Sequence, residues 1–89
     1  MKKRYLHIGC GSNILPVPFE NLDVRDHEGI QHVSSAENLK QFDDNIFELV
    51  YASHILEHYP RNEVENVLKE WVRVTKINGT VRISVPSFK

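Results

Sequence analysis

The sequence predicts an α/β fold built on a mainly parallel sheet, and three observations carry that expectation. An apolar run, Tyr5–Ile8, enters a glycine loop at Gly9 and Gly11. Further β-like runs follow, the strongest being "FELVYAS" (Phe47–Ser53). An amphipathic helix then leads into a last alternating run, "TVRISVP", stopped by Pro86.

The elements follow in order. After "YLHI" (Tyr5–Ile8), "SNILPVPFE" carries Pro16 and Pro18, which oppose a long helix there. "NLDV" (Asn21–Val24) and "IQHV" (Ile30–Val33) are the expected second and third strands. "SAENLKQF" (Ser35–Phe42) has the composition for one or two helical turns, and Phe47–Ser53 is the fourth strand. The helix is expected from Glu63 to about Thr75. There Val64, Val67, Leu68, Trp71 and Val72 recur at i, i+3, i+4, i+7 and i+8, one apolar stripe facing a core. Asn62 with Glu65 three residues on fits a capping box, and Asn78-Gly79 offers left-handed residues to end the helix. In the fifth strand Val81, Ile83 and Val85 alternate inward.

Bulk properties exclude several classes. The chain has 89 residues and reads as one small domain, 1–89, with no repeat or linker. A content of 40% hydrophobic and 26% charged residues argues against disorder or a fibre. The formal charge of −1 gives no electrostatic signal for nucleic acid, and Lys2-Lys3-Arg4 reads as a solvated terminus. The single cysteine, Cys10, allows no internal disulfide and suits a reducing cytoplasmic setting. The apolar run before it is too short, and broken by His7, for a lipoprotein signal. No stretch approaches the ~20 apolar residues of a membrane span.

Two stretches carry chemistry. In "HIGCGSN" two glycines just past a strand allow either a tight turn or close approach of backbone to a ligand. A dinucleotide fingerprint would need a third glycine where Ile14 stands, and a helix that the prolines oppose, so NAD and FAD are disfavoured. A ligand with a ribose but no phosphate suits the loop better. Asp23, ending the second strand, can accept hydrogen bonds from both ribose hydroxyls, or can simply cap a turn. In "ASHILEHYP", His54, Glu57 and His58 spell an inverted zinc-protease motif. Pro60 ends that turn early and no separate downstream carboxylate offers a third ligand, so no metal is expected.

Together "LHIGCGSN", "ENLDV", "SSAENLKQFDDNIFELVYASHILEHYP" and "VLKEWVRVTKINGTVRISVP" resemble the successive motifs of class I S-adenosylmethionine-dependent methyltransferases. The most similar group is the type 11-like one, and the resemblance runs from about Tyr5 to Pro86. It implies an abbreviated Rossmann-like sheet of about five strands in the order 3-2-1-4-5, with few helices and without the family's C-terminal strands. It implies S-adenosylmethionine or S-adenosylhomocysteine as ligand. Gly9, Cys10 and Gly11 would pass under the methionine portion, with His7 just before them. Asp23 would bind the ribose, Val24 would lie against the adenine, and Ser35, Ala36 and Glu37 would border its edge. Ser53 and His54 would lie near the transferable methyl. His54, Glu57, His58 and Tyr59 are the polar groups near that expected site, and His54 and His58 are the candidates for a general base because imidazole titrates near neutrality.

The sequence departs from the family at His7, where an acidic residue is common, and at Asn13, where a glycine is. It departs again at Ser35, where an aspartate often reads the adenine, and at Ile77-Asn78, which replace Pro-Gly. The first and third of these put the strength of cofactor binding in doubt. Relatives continue past the fifth strand into acceptor-binding segments. The expectation is therefore a methyltransferase that needs a homodimer or a partner protein to complete its substrate site. The alternative is a cofactor-binding pseudoenzyme or regulatory subunit. The acceptor is not legible.

Overall fold

The structure is a computed structural model and describes residues 3–84. Lys2, Val85 and Pro86, which figure in the expectations above, lie outside the described residues. Five strands form one sheet: β1 (Tyr5–Ile8), β2 (Phe19–Asp23), β3 (His32–Val33), β4 (Phe47–Ser53) and β5 (Thr75–Ser84). A 14-residue helix, α1 (Arg61–Val74), joins β4 to β5. The strand order is β3-β2-β1-β4-β5, and every neighbouring pair is parallel. All carboxyl ends therefore point to one edge, where this kind of sheet receives ligands.

Alternation sorts the sheet into two faces. Leu6, Ile8, Leu22, Val50 and Ala52 face α1 and pack with Val67, Trp71 and Val74 in the main core. The opposite face carries Tyr5, His7, Phe19, Asn21, Leu49 and Tyr51. Its rings pack on one another, with His7 stacked on Tyr51 at 5.2 Å between centroids and Tyr5 beside Phe19 at 5.6 Å.

Several expected details are corrected. α1 starts at Pro60-Arg61, two residues earlier than the Glu63 start expected, because the fixed φ of Pro60 (−58°) already suits a helix entrance. Asn62 lies inside the helix and the capping box does not form. The buried stripe is Val67, Trp71 and Val74, while Val72 is 60% exposed, since it lies about 100° round the helix from Trp71. The helix passes directly into β5 at Thr75, whose hydroxyl donates to the Trp71 carbonyl at 2.7 Å. Asn78-Gly79 therefore makes no helix-ending turn. The pair sits in an irregularity of β5, where the pairing steps from Phe47↔Thr75 to Leu49↔Thr80.

Ser35–Phe42 forms two separate turns, not a helix. Side chains of α1 bond carbonyls of this segment and hold the two turns apart from one another. Trp71 Nε1 donates to Ala36 at 2.8 Å, and Arg73 donates to Leu39 and Phe42 at 2.9 and 3.0 Å. β2 starts two residues before Asn21, and β3 is only His32–Val33.

Asn21 fixes the β1–β2 crossover, which contains no helix. Its buried amide accepts from the Leu15 N–H at 3.0 Å and donates to the Leu15 carbonyl at 2.9 Å. Its Oδ1 also meets His7 Nδ1 at 3.1 Å. One side chain thus stands in for the backbone pairing that a helix would supply.

Candidate cofactor site

The carboxyl ends of β1, β2 and β4 lie side by side and feed three segments into one cavity. After β1 the chain turns sharply, with Gly9 at φ +66° and Gly11 at φ +54°. The Gly9 and Cys10 N–H groups both donate to the Leu22 carbonyl, at 2.8 and 3.2 Å, which folds the loop back over β2. After β4, His54 takes φ +58° and its N–H donates to the Ser84 carbonyl at 2.7 Å. A single 3₁₀ turn, Leu56–His58, then returns the chain across the strand ends toward α1.

The cavity between these segments is about 260 Å³ and is lined by Gly9, Leu22, Asp23, Val24, Ser34, Ala36, Ile55, His58 and Tyr59. The wall is mostly apolar, with Asp23 as its one carboxylate. Asp23 is 8% exposed. Its Oδ2 stands 3.4 Å from His27 Nε2 and 4.0 Å from Arg25 Nε. An anion this buried is tolerated only with such partners or with a ligand's hydroxyls.

Two contacts narrow the cavity. The Tyr59 hydroxyl donates to Glu37 Oε1, joining the segment after β4 to the segment after β3. That bond pulls the Glu37 carboxyl below its usual range, while burial pushes the Tyr59 phenol up. The Ile55 side chain lies against Gly9. A Cβ at Gly9 would stand 2.1 Å from Ile55 Cδ1 and 2.8 Å from its Cγ1, so the missing side chain of Gly9 is what seats Ile55.

The structure thus brings Gly9, Asp23, Val24, Ala36 and His58 to one cavity. Cys10 lies buried beside it. Its thiol is pushed up by burial and then by Asp23, which keeps it protonated and a poor nucleophile. Gly11 opens onto a separate depression with Arg25, Asp26, His27 and Glu28. The His7 ring lies on the opposite sheet face, where burial lowers its pKa against the opposing Asn21 contact. Ser35 accepts the Asn38 N–H, and Ser53 pairs with Ser84; neither lines the cavity. His54 is exposed, with Nδ1 3.6 Å from Glu57 Oε2.

Leu22, Ser34 and Ile55 line the cavity without having stood out in the sequence. Ser34 directly precedes the segment expected there, and Ile55 lies inside the H-x-x-E-H stretch. His54 and His58 do not share a continuous helix, because only Leu56–His58 form the turn. Among the described residues, no three or more His, Cys, Asp or Glu side chains come together in a way that could hold a metal ion.

A parallel sheet in this order, with a glycine loop and a buried carboxylate at adjacent strand ends, defines a nucleotide-type α/β site. A family profile described as a methyltransferase domain matches residues 20–83. With well over half of its length matched, the chain belongs to the class I S-adenosylmethionine-dependent methyltransferase family. The matched stretch opens in β2 and closes in β5, so β1 and the glycine loop lie outside it. A comparison with curated proteins gives no match. No helix among the described residues is long and apolar enough to cross a membrane.

Proposed function

We propose that this chain binds S-adenosylmethionine in the cavity at the ends of β1, β2 and β4 and transfers its methyl group to an acceptor. The observation that carries the reading is the buried Asp23 carboxylate in a mostly apolar cavity beside the Gly9 turn. The residues present suit the nucleoside half of the donor: Asp23 can accept from ribose hydroxyls, and Leu22, Val24 and Ala36 give an apolar wall for a base. Toward the methionine half, Gly9 and Cys10 offer backbone, with Ile55 standing over Gly9.

When bound, the sulfonium supplies an already activated methyl. The chain's own task is then to hold an acceptor in line and keep water away. Where the acceptor must lose a proton, His58 is the imidazole that faces the cavity, whereas His54 turns outward to Glu57. A second reading, cofactor binding without transfer, is favoured by the cavity's volume. At about 260 Å³ it stands at the low end of pockets for a single small ligand, roughly 300 Å³, which leaves no room for an acceptor beside a bound donor.

The same proposal includes a second copy of the chain and a reducing cytoplasmic setting. The outer face of α1 presents Val64, Leu68 and Val72, flanked by Glu65 and Lys69. An antiparallel pairing centred on Leu68 sets Val64 of one copy against Val72 of the other. Glu65 and Lys69, beside that stripe, pair with each other within the one helix at 3.8 Å.

Calorimetry with S-adenosylmethionine and S-adenosylhomocysteine tests the cofactor assignment, with saturable binding expected for both. Asp23→Asn keeps the side-chain shape and removes the charge, and should weaken both ligands by about 10-fold or more. Binding left unchanged by that substitution would move the ribose elsewhere. Absence of saturable binding below millimolar would defeat both readings.

A further inference from the structure

We infer that His54–Tyr59 is a strap that closes the methionine half of the cofactor cleft, with Ile55 as its plug and Tyr59–Glu37 as its clasp. The inference rests on the cofactor reading above and adds a gate to it.

Three independent contacts hold the strap. At its start, His54 sits at φ +58°, a conformation a non-glycine residue adopts at a cost, and is pinned to β5 through Ser84. At its centre, Ile55 Cδ1 lies within 2.1 Å of the point where a Gly9 side chain would begin. Gly9 borders the cavity, and Ile55 takes the space on its side-chain side, along which a ligand tail would reach the glycine loop. At its end, the Tyr59 hydroxyl bonds Glu37, the neighbour of the lining residue Ala36. Between these points its backbone makes two single-turn bonds, His58 N–H to Ile55 and Tyr59 N–H to Leu56, each 3.1 Å long, and Ile55, Leu56 and Tyr59 rest half-buried against the core.

The strap divides the site. The nucleoside half, beside Asp23, Val24 and Ala36, is open to a ligand as the chain stands. Gly9 borders the same cavity, but the space on its side-chain side becomes available only when Ile55 swings away. A ligand that carries the amino-acid tail therefore binds a minor open state, and its apparent affinity falls by the fraction of chains that are open. A nucleoside without the tail binds without opening the strap.

The test compares adenosine with S-adenosylhomocysteine by calorimetry on the full chain. Ile55→Val removes only Cδ1, the atom nearest Gly9, and Trp71 fluorescence checks that the fold persists. Ile55→Val should tighten S-adenosylhomocysteine about 10-fold and leave adenosine within about twofold. An unchanged or weaker homocysteine adduct, with adenosine still bound, overturns the plug and leaves the cofactor reading intact. Failure of wild type and variant to bind either ligand overturns both. Tyr59→Phe tests the clasp without any ligand: amide exchange at His58 and Tyr59 should accelerate about 10-fold, and an unchanged rate overturns the clasp.

Discussion

Trp71 donates its indole N–H to the Ala36 carbonyl at 2.8 Å, with both residues buried. Through this bond the helix holds the β3-side wall of the cavity, because Ala36 is itself part of the lining. Trp71→Phe keeps most of the ring and removes the donor, leaving a buried carbonyl unpaired. The variant should lose about 1–3 kcal/mol in urea unfolding, and adenosine binding should weaken with it. A stability unchanged within error would show that water replaces the indole.

Arg73 does for Leu39–Asp44 what Trp71 does for Ala36. Its guanidinium donates to the Leu39 and Phe42 carbonyls, to Asp44 at 2.7 Å and to Glu70 at 2.8 Å, while Glu70 accepts the Leu39 N–H at 3.1 Å. A planar fork can serve these acceptors together, and an ammonium cannot. Arg73→Lys should therefore recover little of what Arg73→Met loses. Both should cost about 1.5–3 kcal/mol in urea unfolding and raise amide exchange at Leu39 and Phe42. Full rescue by lysine would reduce the contact to simple charge.

These side-chain ties also mark where the sequence stops being legible. β1 and β4 fall at their expected bounds because each is a short, largely apolar run with a break behind it, Gly9 after β1 and His54 after β4. The Ser35–Phe42 segment has a helical composition, yet carbonyls of it are bonded by Trp71 and Arg73, residues more than thirty positions away. Asn78-Gly79 reads as a turn because nothing local shows that α1 runs straight into a strand. In the site, Asp23 and Gly9 are visible as a carboxylate and a turn at strand ends. His7 is adjacent to the loop in sequence, but alternation along β1 sends its ring to the other face. Ile55 has no local mark at all, since its role lies in resting on Gly9.

Acid should unfold the chain in two stages. His7 has its pKa lowered by burial, against the opposing Asn21 contact. Its stabilising contribution is complete above the ordinary value of 6.5 and is lost as pH falls toward the depressed folded value. Glu20 and Glu70 have pKa values lowered first by their hydrogen bonds to Arg4 and Arg73. Their contributions persist above 4.5 and disappear as pH falls through the depressed values. Urea midpoints measured from pH 8 to pH 3 should drop first below about 6.5 and again below about 4.5. His7→Gln should remove the upper drop and keep the lower one. An upper drop that survives the substitution would assign it to another histidine.

The outer stripe of α1 makes the dimer testable in its own right. Val72 is 60% exposed, so Val72→Glu leaves the core intact while placing charge opposite Val64 of a second copy. Sedimentation at high micromolar concentration should show a dimer for the wild type and a monomer for Val72→Glu. If the wild type stays monomeric, or if Val72→Glu leaves it dimeric, α1 is not the dimer face.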